Sequence, residues 1–179
     1  MMRVELLGRI NVNYESLKYQ TNEFRRMYPE ETQFCITSKL GDNNFMEGAG
    51  KTYVPEDFIY LNTYFQDTEI AELVKIYPEY CRWRILCVKP RKTYSIHHDN
   101  WKHGYNNQRI HFPIETNTDS FLVFYEEELL DHGTQNIEYH NLKSEYVYLV
   151  NTTGYHTAVN YHPTSERIHI VAERFIPHG

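Results

Sequence analysis

Three residues of this sequence have the types and the spacing of a metal site. His97 and Asp99 lie two positions apart in the run Ser95-Ile96-His97-His98-Asp99, and His156 lies 59 positions after His97. On extended backbone, residues two positions apart point to the same side, so His97 and Asp99 can share one ion while His98 faces away. Two imidazoles and one carboxylate form the facial triad that holds Fe(II) and leaves the opposite coordination positions open. Because the chain has ten histidines, this prediction depends on the elements that carry the three residues.

The second half of the chain has the pattern of a series of short strands. Apolar and polar residues alternate there with a period of two, and turn residues separate the runs. The eight runs are Arg82–Val88, Thr93–His97, Arg109–Glu115, Phe121–Tyr125, Asn136–His140, Tyr146–Val150, His156–Asn160 and Arg167–Phe175. Eight short strands with Gly, Pro and Asn between them predict a mainly β fold, namely a jelly roll or double-stranded β-helix of the cupin type.

The first half of the chain predicts helices that cover this barrel. We expect an edge strand in the first dozen residues, a helix over 14–28, and a second helix that Asp67 caps and Pro78 ends. The segment 29–66 has no regular pattern, and its aromatic residues fit either a cover over a pocket or ordinary packing on the sheet. The prediction is therefore one domain over residues 1–179, in which residues 1–81 pack on a barrel formed by residues 82–179.

Two of the predicted strands place arginine and histidine on one face and aliphatic or aromatic residues on the other. Arg109 and His111 share a face of one strand, and Arg167 and His169 share a face of another. If the apolar faces pack under the helices, both Arg/His pairs point into the barrel, where a buried guanidinium needs an anion. Two such pairs near a metal suit a dicarboxylate such as 2-oxoglutarate. The alternative is that the arginines form ion pairs on a solvated face with nearby acids, namely Glu115, Glu166 and Glu173.

Composition excludes several other classes of protein. The net charge is −6, and no basic cluster could follow a phosphate backbone, so nucleic acid is not an expected partner. No apolar run is long enough to span a bilayer, and the first residues lack the apolar core of a secretory signal. The three cysteines, which form no CxxC pair, are expected to be reduced thiols. A cytoplasmic location follows as an expectation.

Four motifs together resemble the aspartyl/asparaginyl β-hydroxylase family of Fe(II)- and 2-oxoglutarate-dependent oxygenases. They are Ser-Ile-His-His-Asp at 95–99, Arg-Ile-His-Phe-Pro-Ile-Glu-Thr-Asn at 109–117, His-Thr-Ala-Val-Asn at 156–160 and Arg-Ile-His-Ile-Val at 167–171. The resemblance extends over roughly 70–171. One turn departs from it, because the Gly-Asp pair that commonly precedes the strand before the distal histidine is replaced here by Ser144-Glu145. The resemblance implies a double-stranded β-helix.

The resemblance also implies a role for each motif residue. His97, Asp99 and His156 would be the iron ligands, and Arg167 would bind the distal carboxylate of 2-oxoglutarate. Further residues would lie around them. Arg109 and His111 would line the same pocket and touch either the co-substrate or the substrate, and Asn160 would have a supporting structural role. Trp101 and His103, just after the triad, are candidates for substrate contact.

The expected function is that of a dioxygenase. The chain would use Fe(II), 2-oxoglutarate and dioxygen to hydroxylate an unactivated C–H, with succinate and CO2 as co-products. By resemblance the substrate is an amino acid or a peptide side chain, although a small molecule of another kind is also open. The alternative is a non-oxidative cupin, either an isomerase or a small-molecule binding protein, with His97, His98 and His156 on the metal. That reading lacks the glutamate that follows the histidine pair in cupins.

Overall fold

The computed structural model describes residues 3–47, 54–99, 108–125 and 136–174. Within these ranges the chain forms two α-helices, α1 (Tyr14–Met27) and α2 (Glu69–Ile76). The strands before α2 are β1 (Val4–Arg9), β2 (Gln33–Cys35), β3 (Thr37–Ser38) and β4 (Tyr60–Leu61). Those after it are β5 (Tyr80–Val88), β6 (Lys92–Thr93), β7 (Gln108–Glu115), β8 (Ser120–Tyr125), β9 (Ile137–His140), β10 (Tyr146–Asn151), β11 (His156–Asn160) and β12 (Arg167–Arg174).

Strands β5–β12 are the core of the two sheets of a jelly roll, and β1 and β2 are the edge strands of the larger sheet. The larger sheet has the order β1-β10-β7-β12-β5-β2, and the smaller one has the order β6-β11-β8-β9. All the pairings in both sheets are antiparallel. Eight strands divided four and four between two sheets are the double-stranded β-helix. The mainly β jelly roll predicted from the sequence is therefore confirmed, and β1 is the edge strand expected near the N-terminus. The strand predicted over Thr93–His97 is shorter than expected, because β6 covers Lys92–Thr93 and His97 forms an isolated bridge with His156.

The main core lies between the helices and the outer face of the larger sheet. Leu17 and Phe24 of α1 pack there with the apolar residues of β7 and β12, which alternate with the polar ones as the sequence predicted. The sheet side of this core consists of Trp83, Ile85, Cys87, Ile110, Phe112, Ile114, Val147, Ile168, Ile170 and Ala172. Because these residues face outward, Arg109, His111, Arg167 and His169 face the interior of the barrel. No helix in the described ranges is both long and apolar enough to cross a membrane.

The segment 29–66 is more regular than expected. The prediction of an irregular region is wrong for residues 33–35, because β2 joins the larger sheet beside β5. Phe45 and Phe65 each pack against Phe24 of α1, with ring centroids 4.9 Å apart. The described aromatic residues of the segment do not line the barrel cavity. This part of the chain therefore matches ordinary packing on the sheet rather than a cover, and residues 48–53 lie outside the described residues.

The second helix begins at a different cap from the predicted one. Thr68 is the N-cap of α2, and its hydroxyl accepts a hydrogen bond from the backbone N–H of Ala71. Asp67 precedes it in a left-handed conformation with φ 62°, which asparagine and aspartate adopt more readily than most residues. The helix ends at Ile76, two residues before Pro78, in agreement with the expected stop. A side-chain cap is present, one position later than predicted.

Candidate metal centre

The three predicted metal ligands meet at one end of the barrel. The candidate donor atoms of His97, Asp99 and His156 all lie within 4.8 Å of one another. The backbones of the two histidines form an isolated antiparallel bridge, in which the N–H of His97 donates to the carbonyl of His156 at 3.1 Å and the N–H of His156 donates back at 2.8 Å. This bridge joins the chain after β6 to the start of β11. It holds the two imidazoles side by side, with ring centroids 4.5 Å apart.

Backbone carbonyls select the tautomer of both histidines. Nδ1 of His97 lies 2.8 Å from the carbonyl oxygen of Ser95, and Nδ1 of His156 lies 2.9 Å from that of Gly154. A carbonyl only accepts, so each Nδ1 carries the proton and each Nε2 keeps its lone pair for a metal. His98 is exposed, and its ring lies edge-on to Tyr155 with centroids 5.1 Å apart. The predicted alternation along this segment is therefore present.

The charges around the triad suit a cation. Oδ1 of Asp99 accepts a hydrogen bond from Nη2 of Arg109 at 2.8 Å. Burial acts to raise the pKa of Asp99, but the charge of Arg109 and the imidazole of His156 outweigh it and hold that pKa below its ordinary value. Burial lowers the pKa of His156 to about 4. At neutral pH the site therefore presents one carboxylate and a neutral His156.

A cavity of about 360 Å³ opens from the triad into the barrel. All six site residues predicted from the sequence line it: His97, Asp99, Arg109, His111, His156 and Arg167. The structure thus brings these six residues to one cavity, although they lie as much as 70 positions apart in the chain. The roles assigned to them as ligands or co-substrate contacts stay predictions. Trp101 and His103 lie outside the described residues.

Arg167 is buried in this cavity without a carboxylate partner among the described residues. The residue is 3% exposed, and its one hydrogen bond in that part of the chain runs from Nη2 to Nδ1 of His169 at 3.1 Å. Burial lowers the pKa of the guanidinium to about 10, so it remains charged at neutral pH. Burial, together with the charge of Arg167, holds the pKa of both His111 and His169 well below the ordinary value, so both are neutral. Arg167, His111 and His169 together therefore carry one positive charge.

Three acids were the alternative partners of Arg109 and Arg167. Two of them bind other residues, and the third lies near Arg109. Glu166 binds Arg25 of α1, with an Nη2–Oε1 distance of 2.7 Å, on the opposite side of the sheet from the cavity. Glu115 pairs with Lys18 at 3.2 Å. Glu173 does lie near Arg109, at 3.5 Å. The ion-pair alternative therefore describes Arg109 in part, although on a buried face, and does not describe Arg167.

Sequence reasoning missed a second group of polar residues in the cavity. Arg82 and Arg84 of β5 point inward, and Gln33 of β2 and Tyr94 lie on the same wall. The signal was available, because Arg82-Trp83-Arg84-Ile85 alternates in the same way as the two Arg/His strands. The alternation was not recognised because it stops after Arg84. The next inward position is the apolar Leu86, so the strand reads as a continuous apolar run from Ile85 to Val88.

Asn160 has the supporting role that was expected of it. Its side-chain amide donates to the carbonyl oxygens of Val88 at 3.0 Å and Ser165 at 2.8 Å. The side-chain oxygen accepts from the amide of Asn117 at 3.2 Å. These bonds tie the end of β11 to β5 and to the turn before β12. They fix the positions of the strands that carry His156 and Arg167.

Comparison with solved structures identifies the same fold in several proteins. AviO1 from Streptomyces viridochromogenes Tue57 matches with a TM-score of 0.60 at 12% identity, over 97% of this chain and 90% of that one. HygX from Streptomyces hygroscopicus, solved with nickel and 2-oxoglutarate bound, matches with a TM-score of 0.57 at 8% identity, over 95% and 81%. A Pseudomonas putida prolyl-4-hydroxylase matches with a TM-score of 0.50 at 10% identity, over 99% and 95%. No family model and no curated protein matches the sequence. At these identities the likeness shows the fold, which is one that 2-oxoglutarate-binding proteins use.

Proposed function

We propose that this protein is an Fe(II)- and 2-oxoglutarate-dependent dioxygenase that hydroxylates an unactivated C–H bond. One observation carries the proposal: a triad of two imidazoles and a carboxylate adjoins a cavity that also holds a buried, charged arginine with no acidic partner among the described residues. A metal and an anion are both needed to complete that site. The nickel and 2-oxoglutarate bound to HygX, which shares the fold, support the same pair of ligands here.

The residues of the triad fit an iron ion. Their donor atoms are close enough for a single ion to contact all three, and the tautomers fixed by Ser95 and Gly154 direct both Nε2 lone pairs outward from the backbone. Arg109 holds the carboxylate of Asp99 in its ionised form through the 2.8 Å contact. Bound there, Fe(II) supplies the redox chemistry by which 2-oxoglutarate and dioxygen give succinate, CO2 and a hydroxylated product.

Arg167 is the residue that binds the distal carboxylate of 2-oxoglutarate. A guanidinium matches a carboxylate in a bidentate geometry, and burial strengthens that contact relative to one at the surface. The neutral histidines beside it, His111 and His169, leave its charge uncompensated until the anion arrives. Aliphatic residues complete the wall and exclude water from the reaction, among them Leu122, Val150 and Ala158.

The substrate is an amino acid or a single peptide side chain. The cavity volume of about 360 Å³ is near the low end for small-molecule sites. Because 2-oxoglutarate takes part of that volume, a small substrate or one side chain fits the remainder. The four motifs that resemble the aspartyl/asparaginyl β-hydroxylase family point to the same class.

Succinate production from 2-oxoglutarate tests this proposal without a known substrate. We expect slow, Fe(II)-dependent formation of succinate under air by the wild-type protein, because such enzymes turn over without substrate at a low rate. The variant Asp99→Ala removes a ligand and should abolish it. His98→Ala changes the exposed neighbouring imidazole and serves as the matched control, with activity expected at the wild-type level.

The cupin alternative predicts the reverse pattern. In a cupin that uses His98 as a ligand, His98→Ala would disturb the metal while Asp99→Ala would matter little. The exposed position of His98 and the inward position of Asp99 favour the oxygenase. A folded, iron-loaded wild-type protein that produces no succinate would count against the dioxygenase proposal.

A further inference from the structure

Arg84 is a buried cavity residue that belongs neither to the candidate metal triad nor to the proposed 2-oxoglutarate anchor. It is 5% exposed and lines the cavity from β5. Its Nη2 donates to Oε1 of Glu173 at 2.9 Å, and Nη1 has a long 3.5 Å contact with the side-chain oxygen of Gln33. Its Nε is buried and has no hydrogen-bond partner among the described residues. A buried guanidinium with an unused donor is an incomplete site, because an unpaired buried N–H is costly.

Glu173 is shared by three arginines. Its Oε1 receives Arg82 at 2.6 Å and Arg84 at 2.9 Å, and it lies 3.5 Å from Arg109. Arg109 also binds Asp99. Among the described residues, Glu173 is therefore the one carboxylate in contact with Arg84, and Arg82 and Arg109 share it.

The register of the larger sheet separates Arg84 from the 2-oxoglutarate anchor. Arg167 pairs with Val88, whereas Arg84 pairs with Val171. The two arginines are therefore four residues apart along the strands, about 13 Å at about 3.3 Å per residue. Across the sheet, Val171 also pairs with His111 of β7. Glu173, which accepts from Arg84, pairs in the sheet with Arg109, and Arg109 binds Asp99 of the triad, so Arg84 lies toward the metal end of the cavity. Strands β5 and β7 are two strand spacings of about 4.8 Å apart, which is about 10 Å.

We propose that Arg84, with the amide of Gln33 beside it, binds a carboxylate of the primary substrate. This inference rests on the proposed function, since it assigns Arg167 to the co-substrate. A substrate held by its carboxylate at Arg84 extends toward the triad over the width of β12, a span that fits a molecule of amino-acid size. Because Arg84 shares its one described carboxylate partner with two other arginines, it selects an acidic substrate over its neutral analogue, and a planar carboxylate matches the planar guanidinium.

Matched pairs of probes test this on the unmodified protein. The anaerobic wild-type protein is loaded with Fe(II) and saturating 2-oxoglutarate and then titrated by calorimetry with N-acetyl-L-amino acids and with their carboxamides. We expect at least one acid to bind, and to bind at least tenfold more tightly than its carboxamide. An arm with N-acetyl-aspartic acid α-amide, which keeps only a side-chain carboxylate, shows whether the recognised acid belongs to the main chain or to a side chain.

Three variants locate the effect. Arg84→Met should remove the preference for the acid, and Arg84→Lys should restore part of it. Folding is expected to survive, because Glu173 keeps Arg82 and Arg109 as partners. Arg174→Met is the matched control, since Arg174 is an exposed arginine of β12 that bonds Gln108 outside the cavity. Its preference should equal that of the wild type.

The charge-transfer band of the Fe(II)–2-oxoglutarate complex separates the two proposals. If the band forms but the acids bind no better than the carboxamides, or none of the acids binds, the carboxylate subsite is wrong and the oxygenase stands. A preference for acids that persists in Arg84→Met also overturns the assignment. If the wild-type protein forms no band, the proposed function fails and this inference fails with it.

Discussion

Replacing Arg167 by methionine should strengthen the fold of the apo-protein and weaken its hold on 2-oxoglutarate. The side chain is buried, keeps its charge at neutral pH, and has no carboxylate partner in the described parts of the chain. Its neighbour in sequence, Glu166, points to the other side of the sheet and binds Arg25. Methionine fills a similar volume without a charge. The variant therefore removes a buried charge that no described acid neutralises.

The effect on the free energy of unfolding and the effect on 2-oxoglutarate affinity have opposite signs, and their magnitudes can be estimated separately. Replacing an unsatisfied buried charge by an apolar side chain is expected to raise the free energy of unfolding by about 1–3 kcal/mol. Losing a bidentate, charge-assisted contact with the distal carboxylate is expected to cost about 2–4 kcal/mol of binding free energy. At about 1.4 kcal/mol per factor of ten, that cost is a loss of affinity of about 30- to 700-fold.

Arg25→Met is the matched control for this variant. Arg25 is buried, but it binds Glu166 through Nε and Nη2 at 3.0 and 2.7 Å. Its loss should lower the free energy of unfolding by about 2–3 kcal/mol, since Glu166 is partly exposed and recovers some hydration. The affinity for 2-oxoglutarate should not change. Urea unfolding of the apo-proteins and titration of the Fe(II) complexes with 2-oxoglutarate measure both quantities. The reasoning is refuted if Arg167→Met destabilises as Arg25→Met does and binds 2-oxoglutarate as the wild type does.

Three further outcomes are expected. Asp99→Ala should weaken Fe(II) binding by at least about 100-fold, measured by competition with a chelator, whereas His98→Ala should leave it unchanged. Folding lowers the pKa of His169, so below about pH 6.5 the unfolded chain binds a proton that the folded protein does not. The free energy of unfolding of the apo-protein should therefore fall as the pH drops below that value. In urea unfolding, His169→Gln should reduce this pH dependence by about 1.4 kcal/mol per pH unit. Thr68→Ala should lower the free energy of unfolding by about 1 kcal/mol, because it removes the cap of α2, whereas Asp67→Asn should change it by less than about 0.5 kcal/mol. Equal effects at positions 67 and 68 would contradict the observed cap.

The fold and the inward faces of its strands could be predicted because polar and apolar residues alternate along the strands with a period of two. Ile110 and Ile168 mark the outer face of their strands as clearly as Arg109 and Arg167 mark the inner one. A slip of one residue would reverse both faces, so the pattern and the register determine each other. The same logic brought His97 and His156 together, since each begins or ends an extended run.

The parts that could not be predicted depend on contacts between distant segments. The tautomers of His97 and His156 are set by the backbone carbonyls of Ser95 and Gly154. The alternation of polar and apolar residues does not predict where such carbonyls point. Glu173 could have paired with Arg167 on the same strand, but it lies six residues along β12 and meets Arg84 from β5 instead. Strand β2 is three residues long and gains its stability from β5, which a local pattern does not show. Thr68 and Asp67 are both good caps, and only the backbone geometry selects between them.

Anaerobic visible absorption tests the central claim most directly. Fe(II) is added to the purified protein, 2-oxoglutarate follows, and the spectrum is compared with that of His156→Ala. The account predicts a metal-to-ligand charge-transfer band that requires both Fe(II) and 2-oxoglutarate and is missing from the variant. A wild-type protein that is folded and holds iron, yet shows no band with 2-oxoglutarate, would contradict it.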